Sequence, residues 1–204
     1  MNRTRSHLEL TAVILTGAVH LVFEEVFHLK GPFIILALLC WGAYLGISIR
    51  KDRLILEEWG LTLTGFGRAM VTPALVLLAG ILLLGTIGAL RGTLTLSLHM
   101  VPLLALYPVW GIAQQFMVQA MVSRNIHAVL HSTWAATFIA AILFGVVHWP
   151  DRFLMPATFT LALVFTPIYL KQKSILPLGL CHGWLGVLAY YWLLGRDPWL
   201  ELFG

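Results

Sequence analysis

Residues 99–122 read HMVPLLALYPVWGIAQQFMVQAMV. A helix needs about 20 mostly apolar residues to cross the hydrocarbon core of a bilayer, and this stretch supplies them without one Asp, Glu, Lys or Arg. Three carboxamides, Gln114, Gln115 and Gln119, lie inside it. The stretch reads as a spanning helix with polar side chains in its interior, and that reading decides the class of the fold. Hydrocarbon offers no hydrogen bonds, so each amide needs a partner within the protein. Such residues mark function or helix pairing.

Six further stretches share this character: roughly 8–29, 32–49, 70–90, 133–149, 153–170 and 175–194. Of the 204 residues, 59% are hydrophobic and 11% charged, against about 25% charged in a soluble domain. Mean hydropathy is +0.88. The expected fold is all-α: a polytopic membrane helix bundle of about seven transmembrane helices, with the lipid bilayer as its surroundings. Lys30-Gly31-Pro32 is expected to turn the first two helices into an antiparallel hairpin. Residues 50–69 form the one long polar stretch, with Arg50-Lys51-Asp52-Arg53 and Glu57-Glu58, and predict a short surface helix along the interface. The chain then divides into an N-terminal hairpin with its interfacial segment, 1–69, and a membrane core, 70–204. Trp149-Pro150-Asp151 separates two short segments, and proline there breaks the helix by removing a backbone bond. The first apolar run reaches Phe27 with no small-residue cleavage pattern, so it reads as a retained helix and not a signal peptide.

A pI near 9.3 raises nucleic acid as a partner class. The basic residues sit in short flanks between apolar runs, where they act as topology signals and form no patch, so nucleic acid is set aside. A cytoplasmic N-terminus places Arg3, Arg5, Arg50, Lys51, Arg53, Arg68, Arg124, Lys171 and Lys173 inside. It leaves Lys30, Arg91, Arg152 and Arg196 outside. Nine against four favours that orientation, with the C-terminus outside. Cys40 and Cys181 both lie in apolar segments and predict neither a disulfide nor a zinc site.

Two histidines join the amides. Phe144-Gly-Val-Val-His148 ends the fifth segment, and His182 lies about two turns into the seventh, beside Gly183 and Gly186. Gln115 and Gln119 are one turn apart and share a face. Small residues beside His182 let another helix approach closely. Taken singly, each polar side chain reads as interhelical glue, contributing about 0.6 to 2 kcal/mol.

Taken in order, the same residues resemble the CPBP family, the membrane proteins related to CAAX prenyl endopeptidases and bacteriocin-processing proteases. That family carries Glu-Glu-x-x-x-Arg, Phe-x-x-x-His, and His-x-x-x-Asn or Asp on consecutive spanning segments. Gln114-Gln115-Phe-Met-Val-Gln119 stands at the first motif. Phe144-Gly-Val-Val-His148 matches the second in full, and His182-Gly-Trp-Leu-Gly186 keeps the histidine of the third. The resemblance covers about 99–195. It implies a CPBP-like bundle in which three segments surround a cavity, and peptide-bond hydrolysis of a membrane-associated peptide or protein. Gln114, Gln115, His148 and His182 would hold the catalytic positions, with Gln119, Phe144 and Gly186 around the substrate. Trp110 flanks the polar set, where it shapes a pocket or fills volume. The two imidazoles would bind water, an oxyanion or a divalent metal such as zinc.

The departures bear on activity. The family's glutamate is thought to activate water, which a carboxylate can do at neutral pH and a carboxamide cannot. The arginine of the first motif is Gln119 here, and the asparagine of the third is Gly186, which removes a donor for the developing oxyanion. Glu24 or Glu25 in His20-Leu-Val-Phe-Glu24-Glu25-Val-Phe-His28 is the candidate replacement base. His20, Glu24 and His28 fall on one helical stripe; a metal set, a contribution to the site, and the interfacial end of the first helix are the readings. Glu24, Glu25 and His148 count out near the outer ends of their helices, with Gln114 and His182 deeper. Two functions follow: an intramembrane endopeptidase, or a non-catalytic module that holds a peptide or lipid segment through amides that both donate and accept. A transporter would show broken helices in symmetric positions, which this sequence lacks.

Overall fold

The computed structural model describes residues 3–203. The side chains of Arg3 and Lys30, both counted above as topology signals, lie outside the described residues. Helices α1 (Arg3–Glu25), α2 (Lys30–Lys51), α3 (Ile55–Trp59) and α4 (Phe66–Arg91) are followed by α5 (Met100–Gln115). A π-helix, π1 (Phe116–Ser123), runs from α5 into α6 (Arg124–Leu130). Then come α7 (Thr133–Val146), α8 (Leu154–Gln172), α9 (Leu176–Leu188), a second π-helix π2 (Ala189–Leu194), and α10 (Pro198–Phe203). Among the described residues there is no strand, as the all-α expectation required.

Among the described residues, five helical stretches are long and apolar enough to cross a membrane: Thr4–Glu25, Gly31–Lys51, Phe66–Arg91, Met100–Leu130 and Leu154–Gln172. Thr133–Val146 is a shorter apolar helix. The last expected span is divided between α9, of 13 residues, and π2, of 6. The helix is longer than the quoted apolar run: α5, π1 and α6 follow one another without a break through Arg124 and Asn125 to Leu130. Leu36, Leu39, Leu75, Leu78, Leu82 and Leu83 are exposed on α2 and α4; in a bilayer these side chains meet acyl chains.

The chain folds as two compact units. The first comprises Met1–Leu61 and Met117–Lys173. Its core is Val118, Val122, Ile126, Ala136, Ala140, Ala141, Phe144 and Ala162. The alanines on α7 and α8 let those helices pack closely, as does Gly145, where a Cβ would stand 3.2 Å from the Met155 carbonyl oxygen. Ser132 caps α7, accepting from the Ala135 N–H at 3.2 Å. The expected break falls at Trp149-Pro150-Asp151, and Asp151 Oδ1 restarts the chain as α8 by accepting from the N–H groups of Phe153 and Leu154, each at 2.9 Å.

The α1–α2 reversal lies one step earlier than Lys30-Gly31-Pro32. Lys30 begins α2, and the turn uses His28 in the left-handed region at φ 55°. Pro32 thus occupies the first turn of a helix, where its missing N–H costs nothing. Leaving α1 also takes His28 off the His20–Glu24 stripe. The segment expected to lie on the surface is anchored inward: α3 buries Ile55 and Trp59 at 2% and 0% exposure. The Arg5 guanidinium lies 5.5 Å from the Trp59 ring, and Tyr169 donates its hydroxyl to the Trp59 carbonyl at 3.2 Å.

The second unit comprises Thr62–Phe116 and Ser174–Gly204. Met100, Leu103, Val187, Leu188, Tyr191 and Trp192 form its core. Helices α5 and α9 meet through glycines. A Cβ on Gly183 would stand 2.5 Å from Pro108 N and from the Tyr107 carbonyl oxygen, and one on Gly179 would stand 2.5 Å from Ile112 Cα. Beyond π2 the chain is tied back to the start of α5. Tyr191 donates to Asp197 Oδ1 at 2.6 Å, and His99 Nδ1 meets Asp197 Oδ2 at 2.8 Å. The His99 and Trp199 rings stack at 6.3 Å.

Burial pushes the Asp197 carboxyl up, but hydrogen bonds from Tyr191, His99 and the N–H groups of Leu200 and Trp199 outweigh it and hold the group below its ordinary 3.8. A depressed carboxylate contributes stability that is fully present above its unfolded pKa and lost as pH falls through the folded value. The wild type should therefore melt above Asp197→Asn at pH 6, and thermal scans should show the gap closing below about 3.8. A gap that persists unchanged to about pH 2 would contradict this assignment.

Candidate functional site

In the second unit, Gln115 and His182 come together. Gln115 lies four residues after Gly111 on α5, so the two share a face. His182 lies between Gly179 and Gly183 on α9. The glycine contacts draw the two backbones so close that the Gln115 side chain spans the gap: its Nε2 is 3.1 Å from His182 Nδ1. Both residues are buried, Gln115 at 0% and His182 at 7% exposure. The amide nitrogen donates, so Nδ1 accepts and a neutral His182 carries its proton on Nε2. Gln114, one residue earlier, is half-buried.

Around this pair, Trp184 turns its indole N–H to the Leu104 carbonyl at 3.1 Å, while Trp110 is 38% exposed. Gly186 differs from the other α9 glycines. A Cβ there would meet the Tyr107 ring at 3.6 Å, an ordinary contact, so the position has room for a side chain and lacks one.

In the first unit, Phe144 and His148 form a second element. His148 Nδ1 lies 2.8 Å from the Phe144 carbonyl oxygen, and the rings meet edge to face at 5.1 Å. A carbonyl only accepts, so Nδ1 carries the proton and the lone pair of a neutral His148 is on Nε2. The two motif histidines thus hold opposite tautomers. Thr158 Oγ1 lies 3.2 Å from the same Phe144 carbonyl oxygen and donates to the Leu154 carbonyl at 2.8 Å. Gln119 is fully buried in π1, in the wide-turn geometry frequent at functional sites.

The acids have other partners. Glu24 pairs with His20 Nε2 at 3.1 Å on α1, and Glu25 is exposed at the helix end. The acid overlooked in the sequence is Glu9, buried at 4% exposure. Its Oε1 accepts from Arg5 Nε at 2.8 Å and from the Tyr44 hydroxyl. Its Oε2 accepts from Arg124 Nη2 at 2.6 Å and from Asn125 Nδ2 at 2.7 Å. Arg124, counted above as a flanking topology charge, is therefore an interior ion-pair partner, and it also lies 3.3 Å from Glu58. A lone acid four residues after an arginine in an apolar helix was the available signal.

Zinc in a catalytic site takes three protein ligands from imidazole, thiolate and carboxylate groups. Among the described residues, no group of three or more His, Cys, Asp or Glu side chains is placed to hold a metal ion. Carboxamides at the first motif do not supply the missing ligands, so the donor set does not fit zinc.

No curated protein and no solved structure matches the chain. A family model does: that of the type II CAAX prenyl endopeptidase Rce1-like proteins, over residues 2–188. The match takes in the apolar spans, the Gln115–His182 pair and the Phe144–His148 element, and the chain is a CAAX-protease-like integral membrane protein with multiple spans that belongs to the Rce1-like family.

Proposed function

We propose that this protein keeps the binding side of a CAAX-protease-like site and has lost the cutting side, so that it holds a membrane-associated peptide segment without hydrolysing it. The Gln115–His182 hydrogen bond carries this reading. Where a carboxylate could take a proton from water, Gln115 presents an N–H to the histidine and has no basic form at neutral pH. Losing the base removes about 10²–10⁴ in rate. Losing a donor at Gly186 raises the barrier by about 2.7–4 kcal/mol more. Neither Glu24, paired with His20, nor Glu9, whose two oxygens accept four hydrogen bonds, supports a reading in which another acid serves as base. Gln114, half-buried beside the pair, has a donor and an acceptor to offer a peptide backbone. The charge distribution along the chain supports an N-terminus in the cytoplasm and a C-terminus outside.

The test is turnover of a quenched-fluorescence peptide library by the purified full chain in bilayer nanodiscs, beside His148→Ala and His182→Ala. All three should show the same background. Wild-type cleavage that disappears in His148→Ala would establish an active enzyme and end this reading.

A further inference from the structure

A groove of about 270 Å³ lies between α1, α6 and α7 in the first unit, lined by apolar side chains that include Leu10, Ile14, Val129, Ile139 and Leu143. Among the described residues, His7 is the one ionisable residue in its lining, and it is exposed on α1. The groove exists because α6 stops at Leu130, where His131 takes the left-handed region at φ 53°, and α7 restarts at Thr133.

Apolar burial gives no preference here. Lipid tails are as apolar as leucine, so a chain gains little by moving from bulk bilayer into a groove. Selection has to come from the polar end. The Glu9–Arg124, Glu9–Tyr44 and Tyr169–Trp59 hydrogen bonds put the start of α1, the end of α2, α6 and the end of α8 at one end of this unit. That end exposes Arg50, Lys51, Arg53, Lys171 and Lys173, against Asp52, Glu57 and Glu58. The groove runs from this positive end, at His7, toward the middle of the span at Ile14 and Leu143.

We propose that the groove holds one acyl chain of an anionic phospholipid, with its phosphate at the His7 end. The full chain is placed in phosphatidylcholine nanodiscs that carry a small fraction of lipid with a diazirine in the acyl chain, either phosphatidylglycerol or phosphatidylcholine. Labelling by phosphatidylglycerol should concentrate on Leu10–Ile14, Ile126–Leu130 and Ile139–Leu143, about fivefold above equally labelled phosphatidylcholine, since each nearby base contributes about a kcal/mol to anionic-lipid attraction. Val129→Trp should abolish groove labelling and leave labelling of α2 intact. Ile139→Trp, at a 36% exposed position, serves the same purpose should the first variant not fold. His7→Ala should reduce the preference for phosphatidylglycerol. A farnesylated peptide should not displace the label. Equal labelling by the two lipids, labels spread evenly over α2 and α4, or displacement by the farnesyl chain would each overturn the proposal.

Discussion

Glu9→Ala should lower the stability of the folded chain by about 3–5 kcal/mol, the cost of leaving a buried charge without its partner. Arg5 Nε and Arg124 Nη2 both donate to this carboxylate, at 2.8 and 2.6 Å. Removing it takes away the carboxylate that both guanidinium groups share, while Arg5 keeps the Tyr44 hydroxyl at 3.2 Å and Asn125 Nδ2 keeps the Met121 carbonyl at 2.8 Å. Arg124 would retain Asn125 Oδ1, at 3.3 Å, and Glu58, at 3.3 Å and 39% exposed. Such an exposed contact contributes about 0–1 kcal/mol. Unfolding in a mixed-detergent titration reads the loss directly. Adding Arg124→Ala to Glu9→Ala should recover part of it, because residues of one network do not act additively. A Glu9→Ala chain within about 0.5 kcal/mol of wild type would show that the buried cluster does not hold these helices together.

Gly183→Ala should be nearly as damaging, and it acts through the site. The added Cβ would stand 2.5 Å from Pro108 N and from the Tyr107 carbonyl oxygen. Both are backbone atoms, so α5 and α9 must move apart and no side chain can give way instead. Overpacking of this kind costs about 1–3 kcal/mol, and separation also breaks the Gln115–His182 hydrogen bond, worth about 0.6–2 kcal/mol in a membrane. Together they predict a loss of about 2–5 kcal/mol in the same titration. Gly186→Ala, one turn on, meets only the Tyr107 ring at 3.6 Å and should stay within about 0.5 kcal/mol. Equal effects from the two substitutions would contradict the close-crossing account of the site.

The membrane class and the helical fold were legible because hydropathy depends on composition over about 20 residues, which tertiary contacts do not alter. The break at Trp149-Pro150-Asp151 was legible for a local reason, proline chemistry. The depth and role of single charges were not. Arg124 reads as a flank in sequence, yet π1 carries the helix past it and Glu9 draws it inside. Trp59 lies in the most polar stretch of the chain and is fully buried, because α3 is anchored by two side chains and not by an apolar face. The Gln115–His182 meeting was half legible: small residues beside His182 announced a close helix, while the partner depended on Gly111 lying one turn before Gln115. His28 was misplaced because its positive φ, which histidine adopts only uncommonly, is invisible in a helical spacing.

The claim at the centre is that a carboxamide at the first motif is what keeps this site from cutting. The most direct measurement is peptide turnover by the Gln114→Glu, Gln115→Glu double variant with Gly186→Asn, a position with room for a Cβ, beside the wild type in the same nanodiscs. Restoring the base and the donor together should raise turnover by about 10⁴–10⁷ over the wild-type background, and His148→Ala added to the triple variant should return it to that background. A correctly folded triple variant that stays silent, or a wild type that already cuts at a comparable rate, would contradict the account.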